Sequence, residues 1–351
     1  MPIVRVEELC LSPRHSKLRE RLWREWCFVR MAARHFAVRL VLIAGVLVGG
    51  GLLFKYLEPE KQHSLVRATY YTWCLVFADA PEEFPRSRVL QALFFLVPIL
   101  GLTVIIEGMV DLALMVRDRR RCERGWCTVM AQSMSGHIVL VGLGRLGYRT
   151  FLLLRRLGEH VVVIERDAGG EFLEEVRREG VPLLIGDARR ETFLEEANIQ
   201  RAKSIIAATN DDLANLEIAL DARRLQPGIR VVLRMFDQNL ADKIRAGFDI
   251  HIAISQSALS APAFATAALD RTMVNSYVVG DQLVVMKRWE LNDQAPLCGQ
   301  TVAGVMARHQ LCVIERRTAG GNEIFPGPDT RLQAGDIVLV QGTFDKVSAL
   351  T

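Results

Sequence analysis

Two apolar stretches of this 351-residue chain, Phe36 to Leu57 and Val89 to Leu114, nearly free of charge over Phe36 to Leu57 and over Val89 to Ile106, limit its fold more than any other feature. A helix rises about 1.5 Å per residue, so roughly 20 residues cover the ~30 Å hydrocarbon core of a bilayer. Each stretch is therefore long enough to span. Arg39 and Lys55 lie toward the ends of the first, where long side chains can snorkel. Its Gly49-Gly50-Gly51 run lowers helix propensity but suits close packing between membrane helices. The second contains Pro98 and Gly101, at which a helix can kink.

Positive charge flanks both stretches: Arg14, Lys17, Arg19, Arg21, Arg24, Arg30 and Arg34 precede the first, and Arg117, Arg119, Arg120, Arg121 and Arg124 follow the second. That bias puts both termini in the cytoplasm and residues 58–88 on the far side. The apolar region starts too late for a secretory signal peptide, and no small-residue cleavage site is evident. In residues 1–35 the basic side chains alternate with Leu18, Leu22, Trp23, Trp26 and Phe28. Two readings fit: an amphipathic helix with arginines at lipid headgroups and tryptophans at the interface, or a solvated basic tail.

Between the spans, Ser64 to Phe77 is apolar and aromatic but too short to cross. Such a segment reads as a re-entrant helix, tolerated at membrane depth only when packed inside protein. Span, re-entrant helix, span is the layout of a pore subunit. Asp79, Glu82 and Glu83 fit either a ring of carboxylates at an outer mouth or a solvated acidic turn. Glu107 and Asp111, four apart on one helix face, either line an inner vestibule or pair with Arg117 and its neighbours.

Outside these runs the composition is that of an ordinary globular protein, and the length allows two or three domains, each with its own core. A net charge of +4, dispersed along the chain, gives no footprint for nucleic acid. The seven cysteines, Cys10, Cys27, Cys74, Cys122, Cys127, Cys298 and Cys312, form no CxxC pair and no His-interleaved spacing. They read as reduced thiols, with no structural metal or disulfide framework.

After a charged connector over 117–135, the character changes. His137 to Glu165 contains a short apolar run, Gly142-x-Gly144-x-x-Gly147, a helical segment and Val-Val-Val-Ile-Glu. This is a dinucleotide fingerprint in context. Gly142 permits the tight turn, Gly144 leaves no Cβ between backbone and pyrophosphate, and Gly147 lets helix and sheet approach closely. The helix N-terminus offers free N–H groups to phosphates. Glu165, at about the expected 20-residue offset, can accept from ribose hydroxyls and disfavours a 2′-phosphate, although Arg166 keeps NADP open. Further strands are expected at Val181–Gly186, Ala202–Ala208, Arg230–Arg234 and Asp249–Ile254, with helices between, which gives a doubly wound parallel sheet. Ligand contacts then come from strand ends carrying Gly186-Asp187-Ala188, Thr209-Asn210-Asp211 and Arg234. Ser257 to Leu269 is an alanine-rich helix. Residues 277–351 show short β-rich runs at Gln282–Trp289, Leu311–Arg316 and Asp336–Gln341 between Gly/Pro turns, a small α+β domain.

Several motifs in order, Gly-His-Ile-Val-Leu-Val-Gly-Leu-Gly-Arg-Leu-Gly, Ile-Gly-Asp-Ala, Ala-Ala-Thr-Asn-Asp-Asp and Val-Val-Leu-Arg, closely resemble the RCK domain of potassium channels and Trk-type transporter regulators. Leu297-Cys-Gly-Gln-Thr-Val and Pro328-Asp-Thr-Arg-Leu-Gln-Ala-Gly-Asp-Ile-Val-Leu-Val-Gln-Gly look like that family's C-terminal ligand domain. The resemblance implies a two-span pore-like membrane domain over 36–116, a Rossmann-like RCK nucleotide domain over 136–276 and a C-terminal RCK domain over 277–351. It implies NAD(H) or an adenine nucleotide (ATP, ADP or AMP) as ligand. Gly142, Gly144, Arg145, Leu146, Gly147, Glu165, Arg166, Asp187, Ala188, Thr209, Asn210 and Arg234 would form its cradle, with Asp187 near adenine or ribose and Arg145 and Arg234 near phosphates. Calcium-gated relatives carry carboxylates at the fifth strand end, whereas this chain has Arg234, Met235 and Phe236.

Ala68-Thr-Tyr-Tyr-Thr resembles the approach to a potassium selectivity filter, which aligns Thr72, Cys74, Leu75, Val76, Phe77, Ala78 and Asp79 with the filter itself. Where the family has Thr-Val-Gly-Tyr-Gly, no glycine lies between Val76 and Pro85. Filter glycines adopt dihedrals unfavourable to a residue with a Cβ. Potassium selectivity therefore does not carry over.

The rival from another class is an oxidoreductase, which needs a proton donor or acceptor beside the nicotinamide. No such arrangement stands at the strand ends, and His160 and His251, beside apolar runs, read as core residues. The expectation is an inner-membrane homotetramer, multi-pass, with RCK–RCK dimer contacts and lipid around it. Nucleotide binding biases the RCK ring and so gates a monovalent cation pore, with Pro98 and Gly101 as hinges. The alternative is a non-conducting, membrane-anchored RCK sensor.

Overall fold

The computed structural model describes residues 17–57, 64–79, 85, 87–117, 123–239, 241, 243 and 252–350. The chain divides into two compact units, Met1–Asn210 with Leu216–Val231, and Asp211–Asn215 with Val232–Thr351.

The first unit opens with α1, Lys17–Leu57, a single helix of 41 residues and so about 60 Å long. The sequence contains no proline here and no glycine before Gly45, so nothing breaks the helix between the basic segment and the apolar run. This corrects the expectation of a separate segment lying along the headgroups. One face of that segment is covered: Cys27, Phe28 and Met31 are buried together with Met115, Val129 and Met130. Leu22, Trp26 and Val29 remain exposed. Residues 1–16 lie outside the described part.

Two segments, Leu22–Leu57 in α1 and Arg88–Met115 in α3 (Arg88–Arg117), are long and apolar enough to cross a membrane. Their large side chains, among them Val38, Leu40, Val41, Phe95, Ile99 and Met109, point outward. The core helix of a water-soluble domain would bury these groups, so the pattern suits a lipid surround. Pro98 sits inside α3 without ending it.

Between them α2, Leu65–Val76, is capped by Ser64, whose side chain accepts from the Arg67 N–H. It nestles against α1 and α3 through Phe54, Ala68, Leu75, Val76, Leu90 and Val97. Glycines make the approach possible. A Cβ on Gly51 would lie 2.9 Å from the Thr69 Cα, and one on Gly101 would lie 2.7 Å from a Val76 methyl. Gly101 thus has a packing role in this arrangement.

Toward the C-terminal end of α3, Asp111 accepts from Arg39 of α1 at 2.5 Å, and His35 stands 3.8 Å away. The sequence had suggested a vestibule lining or Arg117 as its place. The partner is instead the arginine expected to snorkel. Glu107 is exposed. Glu82 and Glu83 lie outside the described residues, as do Arg119, Arg120 and Arg121.

The connector is not featureless, because α4, Glu123–Gln132, forms within it. Alternating elements follow: β1 Ile138–Val141, α5 Arg145–Arg156, β2 Val161–Glu165, α6 Leu173–Glu179, β3 Leu183–Ile185, α7 Glu191–Glu196, β4 Ser204–Ala207, α8 Asp212–Leu225, β5 Arg230–Met235 and β6 Ile252–Ser255. The sheet order is β3-β2-β1-β4-β5-β6. Pairs β1/β2, β1/β4, β2/β3 and β5/β6 are parallel, as the continuous apolar runs require. Asp249, Ile250 and His251 lie outside the described residues. His160 is exposed, contrary to its expected core position, whereas His137 is fully buried.

The second unit contains α9, Gln256–Leu269, and a five-stranded antiparallel sheet of order β10-β9-β11-β8-β7. Its strands are β7 Met273–Val279, β8 Gln282–Glu290, β9 Cys312–Thr318, β10 Gly321–Ile324 and β11 Ile337–Thr343, with helices α10 Val302–His309 and α11 Phe344–Ser348. Val285, Leu297, Leu311, Leu332, Val338 and Val340 form its core. Lys287, almost fully buried, is held by Asp270 at 3.0 Å and lies 5.0 Å from the Trp289 ring centre. Strands β7 and β10 and helix α10 were not foreseen. Both strands have mostly half-buried or exposed side chains, which weakens the alternating signal.

Candidate functional site

The strand order reverses between β1 and β4, and at that switch point the glycine turn sits beside the loop after β4. Gly142 has φ +91°, a left-handed conformation that glycine adopts without steric cost and a residue with a Cβ does not. An added Cβ there would lie 3.0 Å from the Thr209 nitrogen. At Gly147 it would run into the Gly142 carbonyl oxygen, so α5 and the turn touch backbone to backbone. Gly144 differs: it is exposed, its φ is −68°, and a Cβ would meet nothing within 4 Å. The open side of Gly144 is where a pyrophosphate would approach.

Gly144 is the N-cap of α5 and supplies no side-chain cap, which leaves first-turn N–H groups facing outward beside exposed Arg145 and half-buried Leu146. The Glu165 carboxylate, at the end of β2, accepts from the Leu143 N–H and, at 2.9 Å, from the Asp167 N–H. A carboxylate offers about four lone-pair positions, so capacity remains for ribose hydroxyls. Glu165 thereby ties the glycine turn to the second strand, an anchoring role its position in the motif did not reveal. Arg166 is exposed beside it.

After β3, Asp187 accepts from Arg189 at 2.6 Å. The Arg189 side chain, its N–H and nearby Arg166 hold the Asp187 carboxyl below the usual carboxylate range. Arg189 was missed by sequence reasoning, and only the geometry of the turn shows the pair. Ala188 is buried, Thr209 is half-buried and Asn210 is exposed at the end of β4. The fit to a dinucleotide or adenine nucleotide is thus good within the first unit: glycine turn, open helix start and two carboxylates at neighbouring strand ends. Arg234 belongs to the second unit, where its guanidinium lies 4.5 Å from the Phe236 ring centre and its carbonyl accepts from Asn215 at 3.0 Å. Among the described residues no group of three His, Cys, Asp or Glu side chains gathers as a metal site.

The filter-equivalent residues have a different geometry. Thr72, Cys74, Leu75 and Val76 are still helical, and Phe77 is the C-cap of α2. Ala78 takes φ +58°, its N–H donates to the Leu75 carbonyl at 2.9 Å, and the Asp79 N–H donates to the Cys74 carbonyl at 3.1 Å. These two bonds make a Schellman motif, with alanine where glycine is usual. Asp79 is exposed.

A Rossmann-type nucleotide fold followed by a small antiparallel domain, both behind two helices apolar enough to cross a membrane, is the arrangement of an RCK-type protein. Residues 138–256 match the TrkA-N domain and residues 289–351 the TrkA-C domain, so this chain carries both halves of an RCK unit. Potassium channel protein 1 of Methanocaldococcus jannaschii is 25% identical over 227 residues, covering 62% of this chain and 67% of that protein. An uncharacterized protein of Methanothermus fervidus is 36% identical over 116 residues, 33% of this chain. The solved GsuK channel matches over 91% of this chain with a TM-score of 0.55 at 16% identity, a likeness of fold. The chain spans 18% of the Methanothermus protein and 59% of the GsuK chain.

Proposed function

We propose that this protein is a nucleotide-responsive membrane protein of ion transport, in which NAD(H) or an adenine nucleotide bound at the Gly142–Gly147 turn biases an RCK assembly. The observation that carries this is the open, uncapped start of α5 above Gly144, with Glu165 and Asp187 at the neighbouring strand ends, in a chain that also has two outward-apolar helices. The retained acid at the second strand end supports a free ribose 2′-hydroxyl. A ligand shifts a conformational equilibrium only by its differential affinity for two states, so the RCK assembly has two arrangements. The second span, followed by the connector to β1, transmits the difference. Arginines on both flanks support cytoplasmic termini. The subunits assemble as a tetramer in the inner membrane, with RCK–RCK dimer contacts and lipid at the outward apolar faces. The nucleotide is a signal and not a co-substrate, so no hydride leaves bound NADH.

The membrane part conducts monovalent cations with weak discrimination between K⁺ and Na⁺, because the chain lacks the glycines of a potassium filter. A second reading, a non-conducting regulatory subunit, is favoured by the Schellman cap, which uses the Cys74 and Leu75 carbonyls inside the chain. Purified full-length protein in planar bilayers separates them. Nucleotide-dependent current with a reversal potential near zero in opposed K⁺ and Na⁺ gradients supports the pore. Silence alongside demonstrated nucleotide binding supports the regulator, and strong K⁺ selectivity overturns the filter argument.

A further inference from the structure

The cytoplasmic half of α1 has no part in that reading, yet it is built into the nucleotide-domain side of the molecule through α4. Gly186, which begins the Gly186-Asp187-Ala188 strand end, leaves no room for a Cβ because the Phe193 ring of α7 lies against it. Over that ring, 4.7 Å from its centre, sits the guanidinium of Arg124 on α4, which also donates to both Glu196 oxygens at 3.1 and 2.6 Å. The other anchor of α4 is Glu123, which accepts from Arg177 of α6 at 2.6 and 3.0 Å. Cys127 is buried against Leu183 of β3, and burial pushes its thiol up to about 12. The helix is therefore seated on the strand that carries Asp187.

Its other side holds α1. The Trp126 indole N–H donates to the Arg24 carbonyl at 3.2 Å, and the ring meets Phe28 edge-on with centres 6.0 Å apart. Val129 and Met130 pack with Cys27, Phe28 and Met31. The Arg24 guanidinium covers Gly180, the left-handed C-cap of α6. Packed side chains and ion pairs run without a gap from the Asp187 strand end to the first span.

We propose that docking of residues 22–36 of α1 on α4 is thermodynamically coupled to nucleotide occupancy at the β3 strand end, so the signal reaches the first span as well as the second. This rests on the nucleotide reading above. Coupling between sites is reciprocal. A change that loosens α1 from α4 must therefore alter nucleotide affinity, by up to the factor by which the nucleotide alters docking.

The test uses full-length protein in lipid nanodiscs, with ADP and NADH as probes by calorimetry and hydrogen exchange on peptides within 22–36. Phe28→Ala, and the milder Trp126→Phe, which keeps a ring but loses the indole N–H, are each expected to change the Kd of the bound probe about fivefold or more. Val29→Ala, on the exposed face of the same helix, should leave it unchanged. Exchange in 22–36 should respond to saturating probe in the wild type. Kd values within twofold for both variants, or exchange blind to bound probe, overturn the inference and leave the nucleotide site standing. No binding of either probe to the wild type removes the nucleotide reading and this inference with it.

Discussion

The turn after β1 and the end of α2 each contain a left-handed residue, and they handle it in opposite ways. In the glycine turn the left-handed position is Gly142, the close approach is at Gly147, and the first-turn N–H groups of α5 face outward from an uncapped start. At the end of α2 the left-handed residue is Ala78, and the last carbonyls are answered by the chain's own N–H groups. A loop that binds a ligand through its backbone must leave that backbone unpaired and bare. A loop that only ends a helix satisfies its backbone itself. By this measure the glycine turn is arranged for a ligand, whereas the one after Val76 is arranged to close α2.

The strongest way to break the contrast is Gly147→Val. A Cβ there meets the Gly142 carbonyl oxygen, and the loss of stability should be about 3 kcal/mol, read in denaturant unfolding. An unchanged midpoint would mean that α5 and the turn are not in contact. Next comes Gly144→Val, which meets nothing in the protein: the fold should survive while ADP or NADH affinity falls at least tenfold, about 1.4 kcal/mol, by calorimetry. Undiminished affinity would place the ligand elsewhere. On the membrane side, Ala78→Gly relieves the left-handed alanine and should stabilise the protein by about 0.5–1 kcal/mol. Destabilisation there would show that Ala78 is not a helix cap.

The smallest effect concerns the base of the nucleotide core. The His137 Nε2–H donates to the Ala197 carbonyl at 2.9 Å, the ring is buried, and burial lowers its pKa from the usual 6.5. Above pH 6.5 the ring is neutral in both folded and unfolded chains. As pH falls below 6.5 the unfolded chain takes up a proton that the folded one refuses, so stability declines down to the lowered folded value. Thermal unfolding between pH 7.5 and about 5 should show that decline, and His137→Gln should flatten it. A wild-type profile as flat as the variant's would remove His137 from the account.

Much of the architecture was legible because its signals are local. Apolar length marks the two long helices, short apolar runs mark the central strands, and the spacing of Gly142, Gly144 and Gly147 marks the turn. The misses have a common cause as well. Edge strands β7 and β10 bury little and so alternate poorly. His137 and His160 look alike beside the same kind of apolar run, and only the packing decides which is inside. Arg39, read as a snorkelling side chain, is claimed by Asp111 from 72 positions away.

By itself the sequence determined the order of parts: two spans with a short apolar helix between them, a parallel nucleotide-type sheet and a small β domain. The glycine spacing marked the turn, but only the structure showed that a Cβ is excluded at Gly142 and Gly147 and tolerated at Gly144. Only the tertiary structure decided where the polar groups find partners. Glu165 turns to the glycine turn, Asp187 to Arg189, and the Cys74 and Leu75 carbonyls to their own helix cap. It also decided that the basic segment before the first span is docked on α4. The Glu165 and α1 pairings join residues far apart in the chain, while the Asp187 and helix-cap pairings are local and depend on turn dihedrals, and both kinds of geometry are established only in the folded chain.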